Sequence, residues 1–394
     1  MCADFNEHVI SYWVVFQKFH SATLGGIAVI SHWLPYLTLS VYAGALADRL
    51  DPRRMIQSGM ALFMLVSIAW GVLFLSGGAQ QWQAVVLLIL HGIAGVMWLP
   101  AAQVLLYDIV GPAELQSAVR LNATGSYLGM LVGPVVGGGL LVLLGPVNGI
   151  FVNALIYLPM IVWLIRAPYG PRFRRDQPPR APAIKGFGEV VATFRVMRDN
   201  RTLLGMTLLA GAASCFIGNA YQVQMPGFAH DLGHGDPGIA YSMLLGADAF
   251  GALTAGIVLE SRGLLSARPR TACLLAILWC LALGSFALAH NYVLVLGLLA
   301  VAGFAELSFG SMAQSLVQLN APIAIRGRVL GVYAMASRGM RMWSGISVGL
   351  LGGLLGIHWS LALSAAGFFV VAVALALGAR ARPPRAAQRP GTSA

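Results

Sequence analysis

Four charged residues lie inside long apolar stretches in the second half of this 394-residue chain, namely Asp248, Glu306, Arg338 and Arg341. An arginine in such surroundings is costly unless it faces a cavity or an acid. Glu306 and Asp248 are the available partners for Arg338. A carboxylate that is shielded from water and lies near an arginine can change its protonation state. Two interpretations remain open: an ion pair that only fixes helix packing, and a substrate contact or proton-linked switch.

The first half offers His91 as a further titratable candidate, with a packed histidine as the alternative. The four cysteines show no CxxC spacing, so they predict neither a metal site nor a disulfide framework. The chain contains no GxxxxGK[ST] nucleotide-binding loop. We therefore expect no enzyme activity, no cofactor and no bound metal.

The composition indicates a helical integral membrane protein. Hydrophobic residues make up 58% of the chain, charged residues 10%, and the mean hydropathy is +0.76. A soluble domain carries about 25% charged residues. The apolar runs are close to the ~20 residues that a helix needs to cross a bilayer, and the ~10-residue alternating segments of a barrel do not occur. The net charge of +11 resides in the loops between these runs, which argues against nucleic-acid binding.

Eleven apolar runs are predicted to span the membrane, near residues 22–44, 55–76, 83–107, 117–144, 149–165, 203–227, 239–259, 271–289, 292–317, 328–356 and 359–379. A shorter segment from Glu7 to about Phe19 is expected to be the second half of a helix truncated at its N-terminus. The loops alternate between basic ones and ones that contain no Lys or Arg, with Lys18 and Arg120 as exceptions. By the positive-inside rule the basic loops and both termini are cytoplasmic, which requires an even number of spans, twelve.

These spans predict four parts of the chain: a helix bundle over 1–166, a linker with an amphipathic helix over 167–202, a second bundle over 203–379 and a basic tail over 380–394. A weak internal repeat supports this division, since Val110-Gly111-Pro112 and Asn320-Ala321-Pro322 precede corresponding spans. The repeat also includes a loose echo of Gly44, Leu46, Asp48 and Arg49 by Gly256, Leu259, Glu260 and Arg262.

The loop from Gly44 to Arg54 contains two aspartates and three arginines between two apolar runs. Topology accounts for its arginines, but acids contribute little to orientation, so Asp48 is left unexplained. A carboxylate is stabilised at a helix N-terminus. The run that begins at Gly327-Arg328 starts on the same membrane face. We therefore expect Asp48 to contact that helix start and to hold the two halves together.

This loop resembles the signature between the second and third spans of the major facilitator superfamily of transporters. The resemblance rests on Gly44, Leu46, Ala47, Asp48 and Arg49. The later glycine of the family is Asp51 here and a basic position is Pro52, while Arg53 and Arg54 restore the charge. Residues 326–331, Arg-Gly-Arg-Val-Leu-Gly, look like the corresponding segment of the enterobactin-exporter-like branch. The resemblance implies two six-helix bundles and a conformational latch formed by Gly44, Asp48, Arg49, Arg53, Gly327 and Arg328.

The run at 117–144, which is the fifth when the short first segment is counted and is called the fifth run, contains a GxxxGPxxGG pattern made by Gly129, Gly133, Pro134, Gly137 and Gly138. Small residues permit close helix packing, which is one interpretation. The pattern also resembles a motif of superfamily exporters, where a bent helix between the halves limits leak. Many proton-coupled members of the superfamily carry an arginine where this chain has Leu88. The residue at this position therefore cannot couple transport to protons here.

The resemblance implies a monomeric secondary transporter of the bacterial inner membrane, working by alternating access. We expect it to export a siderophore-like or drug-like molecule, driven by protons. An importer of the same fold is the first alternative. A non-transporting sensor or a truncated remnant is the second.

Overall fold

The computed structural model describes residues 2–19, 22–78, 80–169, 187–218, 220–233, 239–261, 265 and 267–378. Regular structure in these ranges is helical. The helices of the first half are α1 (Cys2–Phe19), α2 (Ala22–Arg49), α3 (Pro52–Ser76), α4 (Gln81–Ile156) and α5 (Leu158–Arg166). The predicted tail 380–394 and the linker residues 170–186 lie outside the described residues.

The second half begins with α6 (Phe187–Asp199), where the sequence predicts an amphipathic helix. It continues through α7 (Arg201–Phe216), α8 (Ala220–Asp231), α9 (Ile239–Ser261), α10 (Pro269–Leu288) and α11 (Tyr292–Asn320). After a 3₁₀ turn at Ile323–Ile325 come α12 (Arg326–Ala334), α13 (Arg341–Ser344), α14 (Leu351–Leu355) and α15 (Ile357–Gly378).

Glycines divide the longest helix. Within the 76 residues of α4, Gly111 and Gly145 have φ angles of 70° and 74°. The helix therefore consists of three segments joined at two corners. A positive φ is accessible to glycine without the steric cost that a Cβ brings. The corners fall between runs that the sequence predicts to be separate spans.

Seven helical stretches in the described ranges are long and apolar enough to span a membrane. Large apolar side chains cover their outer faces, with Val142 83% exposed and Val293 76% exposed. Such exposure is unfavourable in water and indicates a lipid-facing surface. These stretches fit a multi-pass membrane protein.

Each half has its own apolar core. In the first half, Trp70 packs with Ile10, Val66 and Ile150 from three helices. In the second half, Trp279 stacks on Phe309 with ring centroids 5.4 Å apart, and Phe368 meets the edge of Trp279 at 5.8 Å. A further buried apolar cluster runs across both halves, and includes Val41 and Ala47 of α2 as well as Val329 and Leu330 of α12.

Two pairs of helices join the halves at one end of the molecule. There α2 packs against α12, and the middle segment of α4 packs against α9. We call this the basic end, because the loop of Arg49, Arg53 and Arg54 lies there beside Arg326 and Arg328.

Candidate functional site

Asp48 joins the two halves at the basic end. Its carboxylate accepts hydrogen bonds from the backbone N–H groups of Gly327 and Arg328, the latter at 2.9 Å. These are N–H groups of the first turn of α12, which have no partner within their own helix. The helix dipole adds to the attraction, since the N-terminus carries a partial positive charge. Asp48 therefore contacts the helix start that the sequence indicated, across 279 residues of chain.

Glycine makes this contact possible. A Cβ on Gly44 would overlap the carbonyl of Gly327, and a Cβ on Gly327 would overlap the carbonyl of Gly44 and come within 2.7 Å of an Asp48 oxygen. A Cβ on Gly331, one turn further along α12, would overlap the carbonyl of Ser40. The backbones of α2 and α12 thus touch along two turns, as small residues allow.

The arginines of the loop have different positions. Arg53 pairs with Asp51 at 2.7 Å and donates to the carbonyl of Ala167 at 2.7 Å, so it ties the start of α3 to the end of α5. Arg49 lies at the exposed end of α2. Arg328 is 6% exposed. Within the predicted latch set, the structure brings together Gly44, Asp48, Gly327 and Arg328.

A second contact at the basic end mirrors the first. Arg120 of α4 donates to the carbonyl of Leu259 at the end of α9. A Cβ on Gly256 would overlap Thr124, and the backbone N–H of Ala267 donates to Gln116 at 3.0 Å. Gly256 and Leu259 are the residues that echo Gly44 and Leu46 in the sequence. The weak repeat thus coincides with two contacts between the halves, one of α2 with α12 and one of α4 with α9.

A cavity of about 220 Å³ lies between the halves. The first half contributes Trp98, Asn122 and Tyr127, and the second half contributes Glu306, Arg338 and Arg341. The mixture of aromatic walls with a few charged groups is typical of small-molecule sites. Of the predicted candidates, Glu306, Arg338 and Arg341 line the cavity together.

Tyr221 connects the two acids of the second half. Its hydroxyl lies 3.2 Å from one oxygen of Asp248 and 3.2 Å from one of Glu306. Gln222 donates to Asp248 at 3.2 Å, and Tyr127 hydrogen-bonds to Glu306. Among the described residues, neither arginine reaches ion-pair distance from either acid, so the pair suggested between Glu306 and Arg338 is not formed in this conformation. Arg341 instead lies 5.1 Å from the ring of Trp33.

Irregular backbone borders this cavity in two places. Helix α7 ends at a break where Gly218 has a φ of 52°, and α8 begins just before Tyr221. The run that starts with α12 contains π-helical turns at Met335–Gly339 and Gly345–Leu350, and the first includes Arg338. Such turns occur frequently at functional sites, and broken helices frame binding sites in transporters. The sequence did not predict either π turn.

His91 is held between two carboxylates of α1. Its Nδ1 lies 2.7 Å from Glu7 and its Nε2 lies 2.6 Å from Asp4. Glu7 accepts in turn from Ser67 of α3. Sequence reasoning singled out His91 and missed Asp4. The spacing of Asp4, Glu7 and His8 on one face of a helix was the available signal, since residues three and four apart are neighbours.

The glycine pattern of the fifth run packs inside the first half. A Cβ on Gly133 would lie 2.6 Å from Phe5, and one on Gly137 would lie 3.0 Å from Asn6, so both face α1. Gly129 is buried and Gly138 has open space around its Cα. The side chain of Pro134 is outside the described part of the structure. Gly133 and Gly137 thus pack against a helix of the same half, and a role of the pattern in limiting leak between the halves stays a prediction.

The model of the family described as Major Facilitator Superfamily matches residues 2–345. The chain belongs to the major facilitator superfamily. Members of this superfamily are transporters of small-molecule substrates rather than enzymes. The fold agrees, with a TM-score of 0.71 to the human organic anion transporter MFSD10 at 14% identity, over 94% of this chain and 89% of that one. A bacterial homologue of the iron transporter ferroportin gives 0.70 at 15% identity, over 97% of both chains.

Relatives by sequence include transporters of siderophores and drugs. The enterobactin exporter EntS of Shigella boydii serotype 18 is 27% identical over 273 residues, which are 68% of this chain and 62% of the relative. The Staphyloferrin A transporter of Staphylococcus aureus is 28% identical over 33% of each chain. The multidrug efflux pump Tap of Mycolicibacterium fortuitum is 30% identical over 36% of each. The chain thus spans less than two thirds of the length of these relatives.

Proposed function

We propose that this superfamily transporter exports a small molecule across the bacterial inner membrane by alternating access, as a monomer surrounded by lipid. The observation that carries the proposal is the contact of Asp48 with the first turn of α12, which joins the two halves. We infer that this contact closes one end of the central cavity. The basic residues gathered at that end support a cytoplasmic location for it, with both termini on the same side. The described conformation then has its cavity closed towards the cytoplasm.

The direction of transport rests on the relatives. EntS is an enterobactin exporter and Tap is a multidrug efflux pump, so both relatives move their substrates out of the cell. The GxxxGPxxGG pattern resembles that of exporters and here packs the fifth run tightly on α1. Rigid packing within the first half suits a half that moves as one body.

The substrate is proposed to be siderophore-like or drug-like. Trp98, Tyr127 and Tyr333 offer aromatic surface, and Arg338 with Arg341 offers two positive charges for an anionic group. The cavity of about 220 Å³ is smaller than the ~300–1,000 Å³ of sites for drug-sized ligands. We therefore expect it to widen when the halves separate at the other end.

Proton antiport is the proposed driving force, with Glu306 and Asp248 as the coupling acids. Both carboxylates hydrogen-bond to one hydroxyl, that of Tyr221, and Glu306 also lines the cavity with both arginines. An anionic substrate that approaches the arginines changes the electric field at Glu306 and thereby the protonation of its carboxylate. Substrate binding and proton binding are linked in this way.

Transport into inverted membrane vesicles tests this function. Vesicles from cells that produce the protein, and from cells that produce Asp48→Asn, are supplied with a panel of catecholate and carboxylate siderophores and cationic drugs. We expect accumulation of at least one compound, only with an acid-inside pH gradient. Uptake in right-side-out vesicles alone would make the protein an importer. Flux in neither orientation would support the non-transporting alternative.

A further inference from the structure

Three histidines from three helices of the first half converge on one point. His8 of α1, His32 of α2 and His91 of α4 each offer a ring nitrogen, and these atoms lie within 4.8 Å of one another. The ring centroids are 4.8 to 5.2 Å apart. Imidazole is the ligand that Zn²⁺ and the neighbouring divalent transition metals share. Neither the exporter function nor the central cavity requires such a cluster.

His32 is the member of the cluster with a buried ring nitrogen that makes no hydrogen bond in the described structure. It is 9% exposed, and its Nδ1 has no hydrogen-bond partner in the described structure. A buried polar atom without a partner costs about 1–3 kcal/mol. Such an atom calls for an explanation, and a bound ion is one. The ring centroid of His32 lies 4.9 Å from that of His8 and 5.2 Å from that of His91, so a cation between the three rings would lie within reach of His32.

His8 is fixed in the orientation that a metal ligand needs. Its Nδ1 lies 2.7 Å from the backbone carbonyl of Asp4, which can only accept a hydrogen bond. Nδ1 is therefore the donor, and in the neutral ring Nε2 carries the lone pair. A ring nitrogen bound to a backbone carbonyl commonly orients the other nitrogen towards a metal.

His91 has the outer support that metal-binding histidines show. Its Nδ1 faces Glu7 at 2.7 Å, Glu7 accepts from Ser67, and Asn153 donates to Ser67 at 3.4 Å. A chain from carboxylate to histidine of this kind fixes the ring and raises its strength as a ligand.

Asp4 completes the set with an oxygen ligand. Its carboxylate lies 2.6 Å from Nε2 of His91 and accepts a hydrogen bond when that nitrogen is protonated. A divalent cation can take the place of this proton. A zinc ion at about 2.0–2.2 Å from each atom needs ligand atoms about 3.3–3.6 Å apart, which small side-chain rotations supply. The side chains of Asp4 and His8 are 25% and 19% exposed, which provides a way in for the ion.

The geometry points to a binding site for one divalent transition-metal ion of the zinc class in the first half, formed by His8, His32, His91 and Asp4. Three imidazoles and one carboxylate satisfy tetrahedral coordination. Hard ions such as Mg²⁺ prefer oxygen ligands and octahedral geometry, and are excluded by the same set. The bound ion links α1, α2 and α4.

Binding of Zn²⁺ and Co²⁺ to the purified full chain, carrying no polyhistidine tag, tests the site. We expect saturable binding of one ion per chain by calorimetry, no binding of Mg²⁺, and the intense visible band of four-coordinate Co²⁺. His32→Gln should lower the affinity at least ~10-fold and abolish the band. His290→Gln, which changes an exposed histidine, is the matched control and should bind as the original protein does.

A second variant separates loss of the site from loss of the fold. Ser67→Ala keeps every proposed ligand and removes only the support of Glu7, so the affinity should fall about 10-fold with the band retained. Gel filtration and the thermal unfolding midpoint without metal establish that each variant is folded. If the original protein shows no one-to-one binding, or if His32→Gln binds equally well, the ion is held by surface groups only and the proposed site is wrong.

Discussion

Asp48 and Arg328 lie 280 residues apart in the chain, yet the carboxylate of one accepts a 2.9 Å hydrogen bond from the backbone N–H of the other. The bond joins the end of a helix in the first half to the start of a helix in the second. Each half also buries aromatic side chains of its own. A polar contact that crosses between the halves is suited to be made and broken during a transport cycle.

Asp48→Asn should therefore impair transport while leaving membrane insertion intact. The amide removes the charge that favours the start of α12, and its NH₂ group faces backbone donors in place of an acceptor. Loss of an interaction of up to ~2 kcal/mol corresponds to more than a tenfold change in the balance between open and closed forms. Initial flux in inverted vesicles, divided by the amount of inserted protein, measures the effect.

The control for this change is Asp51→Asn in the same loop. Asp51 is the N-cap of α3 and accepts from the backbone N–H of Arg53 at 3.0 Å. Partial burial alone raises the pKa of Asp51, but the hydrogen bonds from Arg53 outweigh it and hold the pKa below its usual value. Asparagine is also a good N-cap, so transport should remain near normal. Equal loss in both variants would show that any charge change in the loop is harmful, and the latch would be rejected.

Gly327→Ala should open the basic end. The added Cβ would overlap the carbonyl of Gly44, and backbone atoms cannot move aside as a flexible side chain can. We expect α2 and α12 to separate, which spin labels on the exposed residues Leu50 and Ile323 would report as a longer distance. Gly297→Ala is the matched control, since a Cβ there meets nothing within 4 Å. An unchanged distance distribution in Gly327→Ala would mean that the close approach is not required for closure.

The helices and the latch contact could be anticipated because their causes are local. Apolar runs of the length of a bilayer define spans, and a lone acid beside a helix start has few stable partners. The sequence therefore led to Asp48 and Gly327 without a structure. The Major Facilitator Superfamily resemblance rested on the same loop.

The site between the halves was less accessible to sequence reasoning. The sequence suggests Arg338 and Glu306 as partners because both are charges in apolar runs, but Arg338 lies in the π turn at Met335–Gly339, which the sequence did not predict. Such turns depend on tertiary packing and leave no periodic signal. Asp4 and His32 were missed for a related reason, since their partners lie on other helices at sequence separations that form no motif.

Glu306→Gln should separate substrate binding from energy coupling. Glutamine keeps an oxygen that accepts from Tyr221, 3.2 Å away in the original protein, but it cannot take up or release a proton. We expect flux driven by a pH gradient to fall at least ~10-fold, a loss of about 1.4 kcal/mol or more. Exchange of labelled for unlabelled substrate without a gradient should continue. If gradient-driven flux survives, another group carries the proton, and Asp248→Asn is the next variant to compare.

Gly218→Ala should destabilise the second half by straining the break between α7 and α8. The residue has a φ of 52°, and an added Cβ would overlap the side chain of Ser344. The left-handed conformation alone costs a residue with a Cβ about 1–2 kcal/mol, and the overlap adds to this. The second change Ser344→Gly removes the overlap but not the backbone strain, so the double variant should recover only part of the thermal unfolding midpoint. Full recovery would assign the whole cost to Ser344, and no loss in the single variant would show that the break is not rigid.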